Sequence, residues 1–178
     1  MALTDKLTAI ANAIRAKDGT SDKMTLAEMP SKIAAIQAGG ATEPYTEETY
    51  DQSGNIISAT LHGHTSIRDS AFSGCSKLAL TSLPSSLTSI GDDAFYNCTK
   101  LALTSLPSGI TSIGSGAFDK CSSLTSITFE GTPTTINSSA FSNCTHLTTI
   151  NVPWAEGAVA NAPWGATNAT INYNYTGA

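Results

Sequence analysis

The sequence predicts an α/β repeat, a solenoid of 23-residue coils preceded by a helical segment. The first observation behind it is a fixed rhythm. Ile67, Ile90, Ile113 and Ile136 are 23 residues apart, and Ala71, Phe72, Cys75 and Leu78 each recur at the same interval through Ala140, Phe141, Cys144 and Leu147. Self-similarity of this kind marks an architecture in which each unit buries its apolar face only against its neighbours. The second observation is composition. Of 178 residues, 40% are hydrophobic and only 13% charged, with Ser and Thr making up roughly a quarter, so the chain can bury a core while its surface is mostly hydroxyl groups. The third is a change of period near the start, where apolar residues follow helical spacing.

In chain order, Leu7, Ile10 and Ile14 recur at three and four residues, with Leu3 one heptad before Ile10, which places one apolar stripe on a short helix. A second helix begins at the capping box Thr25-Leu-Ala-Glu28 and carries Leu26, Met29, Ile33 and Ile36. Asp18-Gly19-Thr20 breaks the two, Pro30 kinks or restarts the second, and Gly39-Gly40 ends it. Helices this short are marginal alone in water, so the stripes meet each other, the repeats or a second protein. Residues 1–40 are therefore read as a helical oligomerisation or docking segment, through Leu3, Leu7, Ile10, Ile14, Leu26, Met29, Ile33 and Ile36, and residues 41–48 as an acidic linker.

Residues 49–66 read as a cap hairpin with Ser53-Gly54-Asn55 at its turn, placing Ile56, Ile57 and Leu61 near the first coil. The solenoid itself spans 67–153. Its strands are expected in Leu80–Leu83, Leu103–Leu106 and Leu124–Phe129, with second short strands in Leu87–Ile90 and Ile110–Ile113 and one helical turn at each Ala-Phe-x-x-Cys. The period lies within that of leucine-rich repeats. Residues 154–178 hold both the segment after Pro153-Trp154 and Ala162-Pro163-Trp164-Gly165, and read as a C-terminal cap whose large flat side chains cover the last coil. Sugar stacking on the same aromatics is the competing reading.

Four cysteines admit two disulfides or a metal site. Equal spacing, however, sets the side chains in one column, whereas a disulfide needs facing Cβ atoms and zinc needs convergent ligands. A ladder of small buried thiols is the expectation. His62-Gly-His64 lacks a third ligand at a recognisable spacing, so neither metal nor other cofactor is expected. Lys77, Lys100 and His146 share one column with Ser123 and form either a weakly basic stripe or a solvated face. Tyr96 occupies a variable slot, shared with Ser73, Asp119 and Ser142, that the core does not require. Tyr96, Lys77, Lys100 and His146 are the candidate receptor-binding residues. The glycosylation-type triplets at Asn97, Asn137, Asn143 and Asn168 read as by-products of composition.

The stretch Ile90-Gly91-Asp-Asp-Ala94-Phe95-Tyr-Asn-Cys98-Thr-Lys-Leu101, repeated from Ile113, resembles the BspA-like leucine-rich repeats over about residues 61 to 153. Arg68 and Asn137 depart from the Gly after Ile, and Glu130 from the Pro after the strand. The segments Leu7–Lys17 and Met24–Ile33, and Pro163–Tyr173 at the other end, resemble structural proteins of bacteriophages, including tail fibres. That second resemblance implies a virion-surface location, with the N-terminal helices attached to other virion proteins.

Net charge is −5, with nine Lys and Arg scattered along the chain, which excludes the basic footprint of a nucleic-acid binder. No apolar run reaches membrane-spanning length and the first residues lack a signal-peptide layout. No G-x-S-x-G, H-E-x-x-H, P-loop or dinucleotide fingerprint is present. The expected function is thus that of a non-enzymatic bacteriophage tail fibre or receptor-binding component. It is a homo-oligomer whose repeats contact a host cell-surface polysaccharide or protein. The alternatives are a capsid decoration or head fibre protein and a bacterial BspA-like surface adhesin.

Overall fold

The computed structural model describes residues 44–177, so the two N-terminal stripes, from Leu3 to Ile14 and from Leu26 to Ile36, lie outside the described residues. Ten strands follow in order: β1 (Tyr45–Tyr50), β2 (Ile56–His62), β3 (Ser66–Ile67), β4 (Ser89–Ile90), β5 (Ser105–Leu106), β6 (Ser112–Ile113), β7 (Ser126–Phe129), β8 (Thr135–Ile136), β9 (Thr149–Asn151) and β10 (Thr170–Asn172). β1 pairs with β2. Two four-stranded parallel sheets run along the stack, β3-β4-β6-β8 on one side and β5-β7-β9-β10 on the other. Equivalent residues pair in register, Ser66 with Ser89, Ser89 with Ser112 and Ser112 with Thr135, so each coil lies on the next.

No helix occurs among the described residues, which corrects the α/β expectation: the repeat is an all-β solenoid. The reason lies in where the amides of Ala-Phe-x-x-Cys point. The Phe95 amide donates to the Ala117 carbonyl at 2.8 Å and that of Asn97 to Asp119 at 2.8 Å, both in the next coil, while Cys98 turns back only to Phe95 at 3.1 Å. A helix would spend those N–H groups on its own preceding turn. The residue before each Cys is also left-handed, with φ of 77° at Gly74, 57° at Asn97, 62° at Lys120 and 53° at Asn143, and that conformation ends any helical run. The expected strand Leu80–Leu83 is likewise not a strand. It lies in the first coil, where Ala79 bonds to the hairpin at Ile57 (3.0 Å).

Stacking fills the core with columns of like side chains. Phe72, Phe95, Phe118 and Phe141 lie nearly parallel, with centroids 5.4, 5.4 and 5.0 Å apart, and the Ile and Leu columns are almost wholly buried. Cys98, Cys121 and Cys144 are free and buried, and Cys75, in the first coil, is half-buried. Each buried thiol donates to the carbonyl of the Phe 26 residues earlier, at 3.0 to 3.1 Å.

The ends are closed differently. β1 starts at Tyr45, inside the span read as linker, and its turn to β2 is held by Asp51, whose Oδ1 accepts from the amides of Ser53 and Asn55, each at 2.9 Å. Ala59 and Leu61 are buried, but Ile57 is 38% exposed, so its side chain is not part of the contact. At the other end Trp154 and Trp164 are buried around Phe129, with centroids 5.2 and 6.0 Å from its ring. The Trp164 carbonyl accepts from the Phe141 amide at 2.9 Å, the place that Ala94, Ala117 and Ala140 fill in the preceding coils.

Candidate binding groove

Among the described residues a broad depression of about 850 Å³ crosses all four coils beside the sheet β3-β4-β6-β8. The geometry follows from the residue after each Ile. In the two middle coils this is Gly91 and Gly114, and in the outer coils Arg68 and Asn137. Glycine is required at the middle positions: a Cβ on Gly91 would lie 2.6 Å from the Asp69 amide nitrogen, and one on Gly114 would lie 2.7 Å from that of Asp92. Side chains are thus present at the two outer positions, Arg68 and Asn137, and missing at the two between them. Asn161, from the C-terminal segment, lines the groove as well.

One wall is a carboxylate ladder. Asp69 Oδ1 accepts from the Asp92 amide at 2.9 Å, and Asp92 Oδ1 accepts from the Ser115 amide at 2.7 Å. These bonds fix both carboxylates, and each leaves its second oxygen for other partners. Ile67, Ile90, Ile113 and Ile136 form the floor, yet each is only 2 to 3% exposed. The isoleucine side chains are thus largely closed off, and Arg68, Asp69, Asp92, Ser115 and Asn137 line the groove beside them.

None of the four residues singled out from sequence lines this groove. Lys77 Nζ lies 2.6 Å from Asp51 Oδ2 and ties the hairpin to the first coil. Its proton-donating contact, with those of Asn55 and Ser53, holds the Asp51 carboxyl far below the usual carboxylate range. His146 is exposed, with Nδ1 2.8 Å from the Ser122 carbonyl oxygen, and Lys100 is exposed. Tyr96 is half-buried and is covered by a residue the sequence did not flag: Lys120 Nζ donates to its hydroxyl at 2.6 Å and lies 4.7 Å from its ring centroid. The hydrogen bond to Tyr96 pushes the Lys120 ammonium up from its ordinary value. A signal existed, since Lys120 stands in a column that otherwise holds Gly74, Asn97 and Asn143, the residue types that tolerate a left-handed backbone. For the groove the signal was the pair Arg68 and Asn137, which depart from the Gly after Ile and stand at its two ends.

Thr46 Oγ1 lies 3.0 Å from His64 Nε2, and His62 Nε2 lies 3.6 Å from Glu47, so both histidines serve the hairpin. Among the described residues no group of three or more His, Cys, Asp or Glu converges as metal ligands do.

Comparison with known proteins places this geometry. The sequence pattern described as "BspA type Leucine rich repeat region" matches residues 46–159 in six copies. Among solved structures, the chain is similar to a leucine-rich repeat protein from Bacteroides ovatus, with 26% identity and a TM-score of 0.51. The match covers 62% of this chain and 28% of that one. It also matches the T. pallidum leucine-rich repeat protein TpLRR at 18% identity and a TM-score of 0.42, covering 74% of this chain and 80% of that one. No curated protein matches. The chain thus spans under a third of the length of the Bacteroides ovatus protein. The bacteriophage resemblance, and with it the tail-fibre, head-fibre and virion readings, is overturned: the repeat family and the Bacteroides ovatus match point to bacterial leucine-rich repeat proteins.

Proposed function

The chain belongs to the BspA-type leucine-rich repeat family, and on that premise we propose that it is a binding module of the bacterial surface-adhesin kind, which holds a cell-surface molecule in the groove between Arg68 and Asn137. The chain is not an enzyme, since this repeat family is a non-catalytic interaction fold. The observation that carries the reading is the groove itself. Four coils commit their Ile, Phe, Cys and Leu to stacking, and along this depression the residue after Ile differs between coils. A solenoid can vary such rim positions without disturbing its core.

The test uses the full chain, fluorescently labelled and titrated onto epithelial and bacterial cells. Saturable binding that Arg68→Ala and Asn137→Ala each weaken, with an unchanged melting midpoint, supports the reading. No saturable binding to either, or binding that both variants retain in full, contradicts it.

A further inference from the structure

Resting on that reading, we infer that the groove takes a neutral glycan, a short run of hydroxyl-rich sugar units laid along the stack. Four features of the groove point to this ligand class and away from a peptide strand.

The first is that the backbone along the groove is already used. The amides of Gly91, Gly114 and Asn137 donate to the carbonyls of Ile67, Ile90 and Ile113 at 2.9 to 3.0 Å, and those of Asp92 and Ser115 donate to Asp69 and Asp92. An extended peptide that binds by strand addition needs unpaired main-chain groups, and this surface offers side chains instead. The second is the absence of an apolar socket. Peptide recognition rests on anchors buried in pockets, whereas the four Ile of the floor are closed off by their neighbours.

The third feature is the donor and acceptor set. Arg68 supplies donors only, as does Asn137, whose Oδ1 already accepts from the Ser139 amide and hydroxyl at 3.0 and 2.9 Å; Asp69 and Asp92 supply acceptors only, and Ser115, which shares one contact with Ser139, and Asn161 supply both. Hydroxyl groups donate and accept at once, so a sugar face satisfies such a mixed wall, and one cation against two carboxylates gives no strong field for a charged chain. The fourth is spacing. The coils repeat at about 4.8 Å, close to the advance of a chain of pyranose units, while side chains on one face of an extended peptide recur at about 6.6 Å. Three coil steps from Arg68 to Asn137 span about 14 Å, which is room for roughly three sugars.

The experiment is calorimetric titration of the full chain with neutral gluco-, manno- and galacto-oligosaccharides of one to six units and, in parallel, with uncharged hexapeptides. The inference predicts that one oligosaccharide series binds, that affinity rises to about three units and then levels off, and that Arg68→Ala and Asp92→Asn each weaken it about tenfold. Asp92→Asn keeps an acceptor for the Ser115 amide, so the ladder stays closed, and a melting curve checks this. Failure of every oligosaccharide, or binding that both variants leave unchanged, overturns the inference. Hexapeptide binding that Arg68→Ala abolishes would overturn the sugar assignment while leaving the groove as the binding site. If cells bind the chain but groove variants alter neither cell nor ligand binding, the site itself is wrong.

Discussion

The thiol of Cys121 donates to the carbonyl oxygen of Phe95 at 3.1 Å, and the same pair recurs one coil to either side, from Cys98 to Phe72 and from Cys144 to Phe118. A column of equivalent cysteines therefore serves as a vertical hydrogen-bonded rail, and its sulfurs neither face one another nor converge. Burial pushes the Cys98 and Cys144 thiols up to about 12, and that of Cys121 higher still.

Thiol chemistry should follow that burial. Native protein at neutral pH is expected to react with iodoacetamide first at Cys75, which is half-buried, and at the other three only after unfolding. The sign of the pH effect is fixed by the direction of the shift. The folded state favours the protonated thiols, so this stability is fully present below the ordinary thiol value of 9.0 and falls away as pH rises through about 12. Melting curves from pH 8 upward, compared with a Cys121→Ala variant, check it.

The aromatic column predicts a gradient along the stack. Phe118 lies between Phe95 and Phe141, whereas Phe72 has a stacked ring on one side only. Phe118→Ala should lower stability by about 3 to 5 kcal/mol, and Phe72→Ala by less. Urea titration with equal slopes for both variants would measure the difference.

How much of this was legible beforehand can be judged residue by residue. The columns of Ile67, Phe72, Cys75 and Leu78 were readable because a solenoid writes its core contacts as a period. The local conformation at Ala-Phe-x-x-Cys was not, because propensity says nothing about an amide whose partner lies in the next coil; Asn97 bonding to Asp119 is a tertiary choice. The groove stayed hidden for a similar reason. It is made by what Gly91 and Gly114 lack, and only stacking shows that Arg68 and Asn137 stand at its two ends. Lys120 covering Tyr96 required the turn geometry that places a left-handed Lys beside the preceding coil.

The groove requires its glycines for stability as well as shape. Because backbone atoms of Asp92 stand 2.7 Å from where a Cβ on Gly114 would sit, the coils must separate to admit it. Gly114→Ala should cost about 1 to 3 kcal/mol. Gly54→Ala is the informative contrast: nothing crowds its Cβ position, but its φ of 81° leaves backbone strain as the sole penalty. Thermal melts of the two variants separate crowding from strain.

The hairpin should be the first part to loosen in acid. Lys77, then Asn55, holds Asp51 ionised, with its carboxyl below the ordinary 3.8. A depressed carboxylate contributes stability that is present above that ordinary value and is lost as pH falls toward the folded one. Amide exchange between pH 5 and pH 2 should show β1 and β2 losing protection before β4 and β6. Lys77→Met should move that loss to higher pH.

The most direct test of the whole account is the position of the sulfurs, measured by anomalous scattering from crystals of the full chain. Stacked coils predict four cysteine peaks in one row, each about 4.8 Å from the next, running parallel to the groove between Arg68 and Asn137. Cysteine peaks that are scattered, bonded in pairs or gathered around a metal would contradict the stack and the groove built upon it.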